Sequence, residues 1–313
     1  MGSMYQVRHP SRSETVTVRA HHHHLRCWGQ PSSDTPPLWL LHGWMDVSAS
    51  WQFVVDALAS SRWVIAPDWR GFGQTRPVHP QPQDHYVFAD YLADLDFLID
   101  AVNLAAGRAS DAPVDLAGHS MGGNVAMVYA GVRPQRVRRL INLEGFGMPP
   151  SRPAQAAGRY ARWMDELKAL HRGDMALQGY DSADGVAARL MKTNRRLAPE
   201  RALWLAQHWA APDSNGRWHI QGAAAHKVIS AHLYHVDEVL DIYARIRAPL
   251  LAVEAADDSL AQWYRHGEHT LAAHHERLAR VPNYRIEVVA DAGHMLHHDQ
   301  PEVVARLMEA HLA

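Results

Sequence analysis

The chain has 313 residues, with 31 Lys+Arg against 33 Asp+Glu and a formal net charge of -2. So even a balance excludes the concentrated basic face that nucleic acid or an anionic membrane surface requires. Hydrophobic residues make up 47% and charged residues 20%, which excludes a disordered chain. A single cysteine, Cys27, cannot close an internal disulfide. No apolar run approaches the ~18 residues of a membrane span, and no apolar centre of a signal peptide stands at the start. The expected setting is the cytoplasm, without membrane insertion. Met1-Gly2-Ser3 reads as an added extension before a native start at Met4.

In chain order, Val16 to Arg19 and Leu25 to Trp28 read as two antiparallel strands. The His21–His24 run lies in that region, where neighbours point to opposite faces, so a structural role is expected over metal binding. Four apolar runs follow: Leu38–Leu41, Trp63–Ala66, Val114–Ala117 and Leu140–Leu143. Each is short and closed by Gly, Pro, Asp or a His-Gly pair, as buried parallel strands are. Helical patterns separate them. Trp51, Val54, Val55 and Leu58 share one face; Tyr91, Leu95, Leu98 and Val102 another; Val125, Val128, Tyr129 and Val132 a third. Alternating strands and helices predict a doubly wound α/β sheet.

From Gly147 to about Arg245 the pattern is helical, with no convincing strand. Tyr160, Trp163, Met164, Leu167 and Leu170 suit one helix, and Ala202, Leu205, Ala206 and Trp209 a second. A third spans Val228, His232, Leu233, Val236, Val239 and Leu240. Strands resume at Leu250–Val253 and Arg285–Val289, and Pro301 opens a last helix. The expected organisation is a core of residues 1–146 and 246–313 with a helical cap, 147–245, inserted between them.

The strongest chemical signal is Gly118-His119-Ser120-Met121-Gly122-Gly123. A G-x-S-x-G pattern between a buried strand and a helix marks a sharp turn that lifts a serine above the sheet. Ser120 is the expected nucleophile. The Met121 amide, at a helix N-terminus, can face an anion. A serine hydroxyl needs a base held by an acid. The expected base is His294, in Asp291-Ala292-Gly293-His294, just after the last strand; His297 and His298 are expected at the surface or near the last helix. For the acid, chain order favours Asp257, after the strand at Leu250; Asp258 beside it and Glu144, after the strand at Leu140, remain alternatives. The Trp44 amide, after His42-Gly43, would be the second oxyanion donor. His42 is expected to bond nearby backbone, and Asp68 and Arg70 to organise their loop.

Together these residues resemble the α/β-hydrolase superfamily: His42-Gly43-Trp44, Asp68 to Gly73, Gly118 to Gly123, Asp291 to His294 and Pro301-Glu302, in that order. His42 to Asp46 and Asn142 to Gly147 look like a bacterial branch similar to the serine hydrolase-like proteins of animals. The resemblance implies an α/β-hydrolase fold with a helical cap. Epoxide hydrolases and haloalkane dehalogenases on this fold carry Asp where this chain has Ser120. The expected activity is therefore a cofactor-free and metal-free serine hydrolase, of carboxylesterase type. Its expected partner is a small-molecule ester, apolar and of small to medium size, or a lactone. Trp163, Met164, Trp204 and Trp209, with Tyr160, Tyr180 and Tyr234, are the cap residues that would line an apolar pocket. The alternatives are the same triad on a C–C or amide bond, perhydrolysis, or a ligand-binding protein without catalysis.

Overall fold

In the computed structural model, which describes residues 4–79 and 83–313, the apolar runs become the centre of one nine-stranded sheet. Met1-Gly2-Ser3, read above as an extension, lies outside the described residues. The chain opens with a hairpin of β1 (Arg12–Val18) and β2 (His21–Trp28). There follow β3 (Leu38–Leu41), α1 (Gln52–Ala57), β4 (Val64–Pro67), the short β5 (Arg76–Pro77) and α2 (Phe88–Ala105). Next come β6 (Val114–His119), α3 (Met121–Val132) and β7 (Val137–Leu143). The intervening segment holds α4 (Ala156–His171), β8 (Gly179–Tyr180), α5 (Ala183–Thr193), α6 (Pro199–Trp209), β9 (Ala210–Pro212), β10 (Trp218–Ile220) and α7 (Val236–Ala244). The chain closes with β11 (Leu250–Ala255), α8 (Ser259–Trp263), α9 (Leu271–Leu278), β12 (Tyr284–Val289), α10 (Leu296–Asp299) and α11 (Pro301–Leu312).

The main sheet runs β1-β2-β4-β3-β6-β7-β11-β12, with β5 beside β2. Pairings from β4 to β12 are parallel, and those of β2 with β1 and β4 antiparallel. Alternate residues of each central strand feed two cores. Trp39, Leu41, Leu116 and Leu140 pack against α2, α3 and α7. Leu38, Leu40, Ala117 and Ile141 pack against α1 and α11. Helices on both faces explain why these strands read as continuous apolar runs. Strand order reverses between β3 and β6, and such a switch point opens a crevice at the carboxyl ends of the strands.

Two helical faces differ from expectation. On α3, Val125 and Tyr129 are buried but Val132 is exposed; Ala126 and Ala130 complete the inward face, because small residues let the helix lie close to its neighbours. Val228 to Leu233 is not continuous helix, and α7 begins only at Val236. There the Ser230 hydroxyl accepts from the His232 amide (3.3 Å), a local turn that competes with helix. Between β7 and β11, β8, β10 and β9 form a small antiparallel sheet. With two or three residues each, they are too short for alternation to be legible. The α5–α6 pair fastens this segment to the core through Val186, Ala187, Leu205 and Ala206 against Val47, Ala49 and Phe53.

Close approach at the β6–α3 turn demands glycine. A Cβ on Gly122 would lie 2.1 Å from the Leu41 carbonyl oxygen, and one on Gly118 would lie 2.2 Å from the Gly122 carbonyl oxygen. Gly122→Ala must push α3 away from β3. It is expected to cost about 3 kcal/mol, the upper end for overpacking, measured by chemical denaturation. An unchanged midpoint would show that the turn repacks freely.

Candidate active site

Ser120 joins β6 to α3 with φ +52° and ψ -116°. That conformation costs a non-glycine residue about 1–3 kcal/mol. Two backbone bonds hold it: the Ser120 amide donates to the Leu143 carbonyl (2.9 Å), and its carbonyl accepts from the Asn124 amide (3.0 Å). The end of β3 passes beside it, since a Cβ on Gly43 would come 3.3 Å from Ser120 Cβ. Among the described residues, four of the six non-glycine positions with positive φ are Met45, Ser120, Glu144 and Asp291. They mark the turns after β3, β6, β7 and β12, the four segments that build the site. Strain of this kind collects at functional sites.

Among the described residues, neither the Trp44 nor the Met121 amide donates to another group. The Trp44 indole is half exposed, and its Nε1 donates to the His226 carbonyl (3.3 Å).

His294 follows β12, and its Nδ1 lies 3.3 Å from Glu144 Oε2. Its ring packs against Trp263 at 4.5 Å, edge to face, and against His119 at 4.7 Å. His119 Nε2 donates to the His294 backbone carbonyl (2.7 Å). Glu144 ends β7 and is buried. Its Oε1 accepts from the Ala255 amide (2.8 Å) and its Oε2 from the Ser259 hydroxyl (2.7 Å), so it reaches across the end of β11. Asn142 shapes this turn: its side chain donates to the Gly145 carbonyl (2.9 Å) and accepts from the Gly145 amide (3.0 Å). Burial pushes the Glu144 carboxyl up to about 7, aided by Asp258 and Asp257. Burial also pulls the His294 imidazole down to about 4.

The carboxylate that the structure brings to His294 is Glu144, one of the two alternatives; it does not bring Asp257, the first expectation, into hydrogen-bond contact with that ring. Asp257 turns outward, half exposed, to pair with Arg196 at 2.8 Å. Asp258 is occupied as the cap of α8, accepting from the Ala261 amide (2.8 Å). The reason is geometric: α8 starts at Ser259, directly after these two residues, so Asp258 is taken up as its cap and Asp257 by Arg196.

The residues expected to line a pocket in the segment between β7 and β11 divide. Met164 is exposed and Trp163 half-buried on α4, a helix with no buried residue. Trp204 is buried against Phe53 (5.7 Å) and Tyr5 (6.2 Å). Trp209 donates from Nε1 to Asp46 Oδ1 (2.7 Å). His297 and His298, expected at the surface or near the last helix, lie on α10 directly before α11 and are buried. Trp263 and His119 were missed by sequence reasoning. Trp263 stands on a helix of five residues with no readable pattern. His119 occupies the position of the serine motif that admits any residue.

His42, Asp68 and Arg70 hold the loops beside the site. His42 Nε2 accepts from the Trp69 amide (3.0 Å). Asp68 accepts from the Ser48 (2.7 Å) and Gln74 (2.8 Å) amides and faces His24 Nδ1 (2.8 Å). Arg70 pairs with Asp94 and Asp90. A separate cleft of about 470 Å³, lined by His21, Arg76, Tyr86 and His219 among others, includes none of Ser120, His294 and Glu144. No described helix is long and apolar enough to cross a membrane.

The family model described as alpha/beta hydrolase fold matches residues 36–301. Over 115 residues the chain is 36% identical to a 2-hydroxy-6-oxo-2,4-heptadienoate hydrolase of Pseudomonas putida, covering 36% of this chain and 38% of that protein. Over 124 residues it is 32% identical to a serine hydrolase-like protein of Danio rerio, covering 40% of this chain and 35% of that one. The matched part spans little more than a third of either relative's length. Among solved structures, the thioesterase domain from the curacin biosynthetic pathway superposes with a TM-score of 0.77 over 96% of this chain and 99% of that one. At 22% identity, that likeness concerns the fold alone.

Proposed function

Because the chain belongs to the α/β-hydrolase fold family, we propose that it is a serine hydrolase that opens a small-to-medium apolar ester or lactone through an acyl-enzyme on Ser120. The observation that carries this reading is the His294 imidazole held at 3.3 Å by the buried Glu144 carboxylate, beside the strained Ser120 turn. His294 takes the hydroxyl proton as Ser120 attacks the acyl carbon. The Trp44 and Met121 amides receive the oxyanion. Glu144 holds the imidazole tautomer and stabilises the imidazolium. His294 then hands its proton to the leaving alcohol, and water repeats the cycle on the acyl-enzyme. Half-exposed Trp44 and Trp263 offer an apolar flank for the acyl group. The reading is a proposal about the whole chain, and a cytoplasmic setting belongs with it.

Hydrolysis of p-nitrophenyl esters of graded chain length tests it. Turnover is expected, with an optimum at short to medium acyl chains. The pH profile carries a second expectation. Below about 7 the Glu144 carboxyl holds a proton and cannot stabilise the imidazolium, while burial keeps His294 neutral down to about 4. So kcat/KM should rise with pH through about 7, as the Glu144–His294 pair loses a proton. A profile flat between about pH 5 and 8 would show that the pair exchanges no proton in that range and would overturn the expectation.

A second reading has one observation in its favour. The named substrate of the Pseudomonas putida relative, 2-hydroxy-6-oxo-2,4-heptadienoate, contains no ester or amide linkage, so its hydrolysis breaks a C–C bond. Turnover of that dienoate, with p-nitrophenyl esters left intact, would transfer the same triad to C–C chemistry.

A further inference from the structure

Beneath the site lies a polar cluster that the proposed serine chemistry does not use. Asp46, His119 and His297 come from the turn after β3, the end of β6 and α10, and their exposures are 3%, 2% and 0%. One donor atom from each lies within 4.8 Å of those of the other two. Each presents buried atoms without a hydrogen-bond partner: Asp46 Oδ2, His119 Nδ1 and both ring nitrogens of His297. Leaving buried polar atoms bare is costly, so each such group needs an explanation.

The unfilled valences have a common character. Asp46 Oδ1 is occupied, accepting from the Val47 amide (2.8 Å), the Trp209 indole (2.7 Å) and the Ser50 hydroxyl. Oδ2 is bare, and among the described residues no Arg or Lys pairs with this buried carboxylate. His119 Nε2 donates to the His294 carbonyl (2.7 Å), which leaves the lone pair on Nδ1. A Cβ on Gly43 would come 3.1 Å from that nitrogen, so the glycine keeps one side of it uncovered. His297 stacks near His119 (4.2 Å) and Trp51 (5.1 Å), but no hydrogen bond fixes its ring. The cluster therefore offers one carboxylate oxygen and two imidazole nitrogens to a single point.

We infer that Asp46, His119 and His297 form a binding site for one divalent transition-metal ion of the zinc type, which braces the three segments beneath the triad. Two nitrogen donors and one carboxylate suit such an ion, whereas calcium and magnesium require mostly oxygen. Donors about 2.1 Å from a shared ion stand roughly 3.4 Å apart in tetrahedral geometry. The donors must draw closer on binding, and no hydrogen bond holds the His297 ring against turning.

The test uses full-length protein freed of metal by dialysis against a chelator. Calorimetric titration with Zn²⁺ is expected to show one tight equivalent, and the melting temperature should rise with it. Co²⁺ should give the intense visible bands of a low-symmetry site. His297→Gln should weaken binding at least tenfold and abolish the thermal shift, while a His21→Gln, His22→Gln control should bind as wild type does. The control is needed because the chain carries 23 His. Should His297→Gln fail to fold, X-ray absorption of Zn²⁺-loaded wild type decides, with two imidazoles and a carboxylate expected around the metal. Failure of wild type to bind one equivalent, or binding indifferent to His297→Gln, overturns the inference, and the space then holds water. Neither outcome bears on the proposed ester chemistry.

Discussion

Replacing Ser120 by alanine is expected to lower kcat/KM for a p-nitrophenyl ester on the order of 10⁴- to 10⁶-fold. Only the oxyanion donors and binding would remain, and neither can form an acyl-enzyme. The fold should survive, because alanine removes one hydroxyl and keeps the two backbone bonds that hold the turn, to Leu143 and from Asn124. Melting temperature and far-UV circular dichroism check that point. A fluorophosphonate probe adds an independent readout: it should label wild type stoichiometrically and leave Ser120→Ala unlabelled. If wild type labels but cleaves no ester, the nucleophile is active and the bond type is wrong. If folded wild type neither labels nor cleaves, the serine mechanism fails and a ligand-binding protein on this fold becomes the better account.

Glu144→Gln against Asp257→Asn is the second decisive comparison. Glu144→Gln is expected to lose about 10³- to 10⁴-fold in kcat/KM. Its amide would donate to His294 Nδ1 and so select the wrong imidazole tautomer. Asp257→Asn should stay within about threefold of wild type, since it breaks only a surface pair with Arg196, and such pairs contribute about 0–1 kcal/mol. The reverse ranking would assign the acid to Asp257.

Stability supplies the control. The Glu144 carboxyl is raised in the folded state to about 7. A raised carboxyl contributes fully to stability below its unfolded value, and the contribution is lost as pH rises through the folded one. At pH 8 the buried charge therefore opposes folding, by roughly 3 kcal/mol. The facing His294 offsets part of this. Glu144→Gln removes the charge, so its melting temperature at pH 8 should equal or exceed that of wild type while activity collapses. A variant that is both inactive and unstable would leave Glu144 as a structural carboxylate only.

Much of the architecture is written in local sequence. Leu38–Leu41, Val64–Pro67 and Val114–His119 are entirely buried, and their mostly apolar character announced parallel strands covered on both faces, although Asp115 interrupts the last of them. The turn around Ser120 was readable because its requirement is local: Gly118 and Gly122 stand four residues apart and each fills a space that admits no side chain. His294 was distinguishable among so many histidines because it follows the last strand. The short strands of the cap were not readable, since two or three residues carry no period.

The sequence by itself determined the strand–helix alternation, the strained serine turn and the position of one histidine after the last strand, because each rests on contacts between near neighbours. Only the tertiary structure decided which carboxylate faces that histidine. Glu144 and Asp257 each follow a strand, and chain order treats both as candidates. Parallel pairing sets β7 beside β11, and α8 then turns Asp257 out toward Arg196 while Glu144 crosses to Ala255, Ser259 and His294. The burial of His297 against His119 was decided in the same way. Both depend on residues more than a hundred positions apart, and the spacing of side chains along one strand or helix carries no information about such pairs.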